Sequence, residues 1–166
     1  QLFLSPAPRR YVQLELRFVS EEPLASAALN ELRIEYNQPL AQTTRAEIFP
    51  PRLEPGQTGN FTYYIRAEMA SSSRGFNQIQ IVSSAGLSFE SLRIDGQAQA
   101  VESASIEQGI LLRLTEPVQR SALVEIDFQS TIFLNQTRFD AYLLNSALGP
   151  QVRQPVDPGD ADERID

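Results

Sequence analysis

Apolar side chains recur at every second position along most of this chain. That period puts alternate residues on opposite faces of an extended strand, and a helix cannot keep it. In residues 11–18, Val12, Leu14, Leu16 and Phe18 share one face, and Gln13, Glu15 and Arg17 share the other. Residues 31–36 repeat the pattern with Leu32, Ile34 and Tyr36 inward. So do residues 61–69, with Phe61, Tyr63 and Ile65 inward and Thr62, Tyr64 and Arg66 outward. Ile79 and Ile81 mark a strand over 76–83, and Ile110, Leu111, Leu112 and Leu114 mark a buried one. The longest run is 123–134, with Val124, Ile126, Phe128, Ile132 and Leu134 on one side. Residues 138–144 follow with Phe139, Ala141 and Leu143 inward.

Shorter strands and turns fill the gaps. Residues 46–49 form a strand stopped by Pro50-Pro51, and Pro55-Gly56 is a turn dipeptide. Residues 87–94 change parity between Phe89 and Leu92, the mark of a bulge. Asp95-Gly96 is a hairpin turn into a returning strand over 97–101. Ala85-Gly86 and Gln108-Gly109 are further turns, and Asn135-Gln136 predicts a hairpin between the last two strands. One short helix is a candidate near 21–29, where Ser20 could cap and Glu21 and Glu22 suit a helix start.

About ten short strands at ~8–12-residue turn spacing predict an all-β chain, an antiparallel β-sandwich of immunoglobulin-like type. The sandwich is expected over residues 10–150, between a linker at 1–9 and an acidic linker or tail at 151–166. The chain reads as a segment of a longer protein.

Composition removes much chemistry. The chain of 166 residues has no His, Cys, Trp or Lys, so all 14 basic residues are Arg. Ser-His-Asp and Cys-His pairs, Schiff bases, disulfides and iron–sulfur clusters therefore have no side chains to build on. Zinc normally takes Cys or His, and no cofactor is expected. A net charge of −7 disfavours nucleic acid and anionic membrane surfaces. No apolar run approaches the ~20 residues of a transmembrane helix, so no direct membrane insertion is expected.

Four groups of residues could still carry function. Asp157, Asp160, Asp162 and Glu163 crowd carboxylates around Gly159, and calcium takes oxygen ligands. The order of an EF-hand is not met, so a solvated acidic linker is the plainer reading. Glu125 and Asp127 share an outward strand face, and Asp140 would lie across from them if 135–136 made a hairpin. Two carboxylates with separated pKa values are the requirement of glycoside hydrolysis, although an outward charged stripe is also the default of a wet sheet. Tyr64 and Tyr142 have outer-face parity and could stack on a sugar, with Gln78 and Gln80 supplying amides. Outward charges such as Glu15 with Arg17 and Arg66 with Glu68 suggest cross-strand pairs that aid register and solubility. Two N-x-T triplets begin at Asn60 and Asn135.

A short motif repeats. Leu32-Arg33-Ile34 leads into Pro39-Leu40, Leu112-Arg113-Leu114 leads into Pro117-Val118, and Leu92-Arg93-Ile94 gives a third copy of the tripeptide. A strand that ends in such a proline corner resembles bacterial immunoglobulin-like cell-surface modules. The resemblance implies an extracellular or cell-envelope module used as a spacer or adhesive unit. The expected function is thus a non-catalytic module that contacts a protein partner or a neighbouring domain of the same chain. A carbohydrate-binding module that takes a polysaccharide is the alternative, and a carboxylate-only glycoside hydrolase is a third.

Overall fold

The computed structural model describes residues 13–19, 28–34, 38–134, 136–149 and 152–162. Eleven strands run in chain order: β1 (Thr43–Phe49), β2 (Thr58–Glu68), β3 (Phe76–Ser83), β4 (Leu87–Ile94), β5 (Gln97–Ala98), β6 (Val101–Ile106), β7 (Gly109–Val118), β8 (Ala122–Thr131), β9 (Phe139–Leu144), β10 (Arg153–Pro155) and β11 (Asp157–Pro158). They form a six-stranded sheet, β11-β1-β2-β8-β4-β5, and a five-stranded sheet, β10-β9-β3-β7-β6. Every described pairing is antiparallel except β1 with β11.

The two sheets meet over one apolar core, as the alternation requires. From the six-stranded sheet come Phe61, Ile65, Leu92, Val124, Ile126 and Phe128; from the five-stranded sheet come Ile79, Ile81, Ile110, Leu112 and Leu143. An aromatic cluster bridges them. Phe128 lies 5.5 Å from Phe139 and 5.8 Å from Phe61 between ring centroids. Tyr63 reaches across as well, donating its hydroxyl to the Phe139 carbonyl at 3.0 Å. Burial and the nearby Asp140 charge push the Tyr63 phenol up to about 12.

Several expectations are met in detail. Asp95 and Gly96 both take positive φ and join β4 to β5 as a tight hairpin. The β4–β8 register slips between Phe89 and Ser91, which is the bulge that the parity change marked. Gly109 opens β7 at φ 134, and a β-carbon there would overlap the Ile81 carbonyl oxygen.

Others are corrected. The Asn135-Gln136 segment does not close a hairpin: β8 belongs to one sheet and β9 to the other, so the chain crosses the sandwich there. Ile132 is buried as expected, but Leu134 is not; β8 ends at Thr131 and the chain leaves the sheet. Residues 13–19 and 31–34 form no strand, and their alternating apolar side chains are exposed. Residues 28 and 29 are not helical; 21–27 of the helix candidate, like the linker at 1–9, lie outside the described residues.

The stretch after Gly149-Pro150 is not a solvated tail over its described part. β10 adds to β9, and β11 adds to β1. Its two prolines sit in edge strands, where a missing N–H costs no ladder bond. Gln154 is buried and ties the two ends of the sandwich together, accepting from the Leu40 and Ala41 amides at 2.8 and 3.1 Å and donating to the Ala41 carbonyl at 2.9 Å.

Candidate interaction surfaces

The outer face of the six-stranded sheet gathers the carboxylates that the sequence singles out. β8 runs between β2 and β4, so Glu125 and Asp127 lie in its middle. Register places Arg93 opposite Glu125 and Ser91 opposite Asp127. The Arg93 guanidinium bridges both acids, at 2.9 Å to Glu125 Oε2 and 2.7 Å to Asp127 Oδ2. Asp127 also accepts from Thr62 Oγ1 and Ser91 Oγ, each at 2.7 Å. Partial burial pushes the Asp127 carboxyl up, but the Ser91 and Thr62 hydroxyls and the Arg93 guanidinium pull it further down, so it lies below the usual carboxylate range. The hydrogen bond from Arg93 to Glu125 in turn raises the guanidinium pKa. Asp127 is thus held ionised, the opposite of what a general acid needs. Asp140 does not join the pair. It sits on β9 in the other sheet, 3.4 Å from Arg138.

The tyrosines are parted in the same way. Tyr64 lies half-buried on β2, in a cross-strand row between Glu47 and Glu125. Tyr142 lies half-buried on β9, on the outer face of the opposite sheet. Register puts Gln80 beside Tyr142 and Gln78 beside Leu144, with Leu111 and Arg113 next in the two rows. The amides and Tyr142 therefore do share a face. The Arg153 guanidinium lies 3.4 Å from the Tyr142 ring centroid and covers that side of the ring. Tyr11 and Tyr36 lie outside the described residues.

The acidic stretch is spread out. Asp157 pairs in register with Arg45, Asp160 is exposed, and Asp162 is buried, with its amide donating to Glu47. Glu47 also accepts from the Ala161 amide at 2.9 Å, and Arg66 donates to the Ala161 carbonyl at 3.0 Å. Glu163 lies outside the described residues. Among the described residues no three acidic side chains gather as a metal ion would require.

One surface was not foreseen. At the end of the sandwich where β1 finishes, a groove of about 610 Å³ is lined by Ile48, Pro50, Pro51, Leu53, Leu134 and Phe139, among others. Phe133, beside it in the chain, is 75% exposed, and Phe49 and Leu134 are about half exposed. Pro50-Pro51 reads in the sequence only as a strand stop. The signal that could have found the groove is Phe133-Leu134, two large apolar residues in succession, which no one-sided strand can bury together. The first N-x-T triplet begins at exposed Asn60 on β2, and Asn135 of the second lies outside the described residues. No helix among the described residues is long and apolar enough to cross a membrane. No protein-family model matches this sequence, and no curated protein does either.

Proposed function

We propose that the chain is a non-catalytic β-sandwich module of a larger extracellular or cell-envelope protein, of immunoglobulin-like type, working as a spacer and assembly unit. Its contact with a neighbouring domain of the same polypeptide is made through the apolar groove at the β1 end. The observation that carries this reading is the groove itself, with half-exposed Leu134 in its lining and exposed Phe49 and Phe133 next in the chain to the lining residues Ile48, Pro50 and Leu134. Clustered apolar surface of this kind marks a contact site. The neighbour is named from chain direction. β11 runs parallel to β1, and Ala161 and Asp162 are held by Glu47, so the chain is led toward the groove end as it leaves the sandwich. The best-formed cluster of opposite charges, around Arg93, supports a structural role because each of its groups is already engaged.

Hydrogen exchange tests this on the 166-residue chain and on the intact parent protein. Residues 48–55 and 131–134 should be protected in the parent and open in the fragment, and Phe133→Ser should remove the difference without moving the fragment's melt. Equal exchange in both proteins would overturn the groove's role. So would a fragment that dimerises in solution and loses the dimer on Phe133→Ser, because a second copy would then be the occupant.

A carbohydrate-binding module is the second reading, favoured by the row that sets Tyr142 beside Gln80 and Leu111. Sugar stacking there requires Arg153 to leave the ring. Thermal melts against soluble polysaccharides decide it, since a ligand at ~100 times its Kd stabilises by about 2.7 kcal/mol. A shift abolished by Tyr142→Ala would support it, and no shift with any polysaccharide would end it.

A further inference from the structure

The segment before the sandwich poses a physical problem. Leu14, Leu16, Phe18, Leu32 and Ile34 have the alternation of core-facing strands, yet each is at least 45% exposed and none takes part in a strand. A pattern this regular calls for a facing sheet. Among the described residues no sheet faces it.

Its sequence says which sheet it is written for. Val12-Gln13-Leu14-Glu15-Leu16 parallels Val124-Glu125-Ile126-Asp127-Phe128 of β8, with apolar residues at the same three positions and polar ones between, of which Glu15 and Asp127 are both acidic. Next, Asn30-x-x-Arg33-Ile34-Glu35 parallels Asn135-x-x-Arg138-Phe139-Asp140, which leads into β9. Then Asn37-x-x-Leu40-Ala41 parallels Asn145-x-x-Leu148-Gly149, and Leu53-Glu54-Pro55-Gly56 parallels Val156-Asp157-Pro158-Gly159. The four blocks keep their order, and their offsets fall between 103 and 112 residues.

That spacing is one module long. Between the first two blocks and β8 lie β1 to β7, the strands that β8 and β9 complete into a sandwich; β1 itself falls between the third and fourth blocks. In β8 the residues equivalent to Val12, Leu14 and Leu16 are Val124, Ile126 and Phe128, all fully buried.

We infer that residues 13–19 and 31–34 belong to the two closing strands of a preceding copy of this same sandwich, so that the chain carries parts of two successive members of a tandem array. The exposed Leu14, Leu16, Phe18 and Ile34 are core positions of that copy. The junction falls before Leu40 and Ala41, which already belong to the present core under Gln154. This inference rests on the reading of the chain as one module among neighbours, but the groove plays no part in it.

Three measurements test it. In the 166-residue chain, amides 13–19 and 31–34 should exchange freely, and Leu16→Glu should leave the melt unmoved, whereas Phe128→Glu at the equivalent β8 position should unfold the sandwich. In the intact parent protein the same amides should be protected, and Leu16→Glu should expose them. The parent's residues just upstream should read as β2 to β7 do, with period-two apolar runs separated by turn dipeptides. Protection of 13–19 in the 166-residue chain would overturn the inference, because the segment would then pair with an edge of this sandwich. Free exchange in the parent, or an upstream sequence without such runs, would overturn it too. Neither result bears on the groove, whose own test reads residues 48–55 and 131–134.

Discussion

Replacing Arg93 by methionine isolates the charge ladder on the six-stranded sheet, since methionine keeps a long apolar stem and removes the charge. Exposed ion pairs are worth ~0–1 kcal/mol, and hydrogen bonds to charged groups ~1.5–3 kcal/mol. The Arg93 side chain is 34% exposed, and those of Glu125 and Asp127 are 12% and 20% exposed. The loss should therefore fall between these regimes, at about 2 kcal/mol at pH 7, because two carboxylates on one strand face are left without a counter-charge. In a domain of this size ~1 kcal/mol moves Tm by about 4 °C, so circular dichroism melts should show a drop of about 8 °C.

The pH dependence separates charge from packing. The fold lowers the Asp127 pKa, so ionised Asp127 contributes stability above its unfolded pKa of ~3.9, and that contribution is lost as pH falls through the folded value. Without Arg93 one of the groups that lowers this pKa is gone. The gap between the two proteins should be widest at neutral pH and should close as the carboxylates protonate. A gap below ~1 °C at pH 7 would show that the ladder contributes nothing, as for a fully exposed pair. A gap that persists undiminished in acid would show that the arginine stem, not its charge, was the stabilising part.

Two further predictions concern the backbone and the core. Gly109→Ala should destabilise by about 3 kcal/mol or more, since the added carbon meets the Ile81 carbonyl at a φ that side chains avoid. Gly86→Ala, with open space and ordinary φ, should be neutral or stabilise by ~0.4–1 kcal/mol; urea melts of both that agree to within error would sink this contrast. In an alkaline ultraviolet titration, Tyr63 should stay protonated until about 12, and stability should fall between ~10 and that value, because the unfolded phenol has by then already lost its proton. Ionisation of every tyrosine near pH 10 with the fold intact would contradict the burial and hydrogen bond assigned to Tyr63.

What the sequence makes legible is whatever one strand decides alone. The inward set Phe61, Tyr63 and Ile65 and the inward pair Ile79 and Ile81 follow from parity, and each is buried. The Asp95-Gly96 hairpin and the β4 bulge are equally local, set by positive φ and by a counting error in the alternation. The sheet to which a strand belongs is not local. Asn135-Gln136 has turn chemistry whether the chain doubles back or crosses over, and only the competition of both sheets for Phe139, Ala141 and Leu143 settles it. The candidate site suffered for that reason. Glu125 and Asp127 come from one strand and meet as expected, while Asp140 and the two tyrosines were parted by sheet assignment. Arg93 was visible as an outward residue, but its role as a bridge depends on the β4–β8 register beyond the bulge.

The N-terminal segment carries the same lesson a step further. Period two states that a strand has one dry face; it does not state whose core makes that face dry. Residues 14–18 and β8 carry equivalent patterns, yet Phe128 is fully buried and Leu16 is half exposed. The difference lies in the partners each finds. β8 is flanked by β2 and β4 and meets the other sheet through Phe128 and Phe139, while β1 to β7 can be closed only once. A second closing pair has no vacancy in a sandwich whose central positions are filled. Edge addition would bury one side of its backbone and leave Leu14, Leu16 and Phe18 without a facing sheet. If residues 13–19 and 31–34 are a second closing pair, they need a second set of opening strands, and the order of the blocks puts that set upstream.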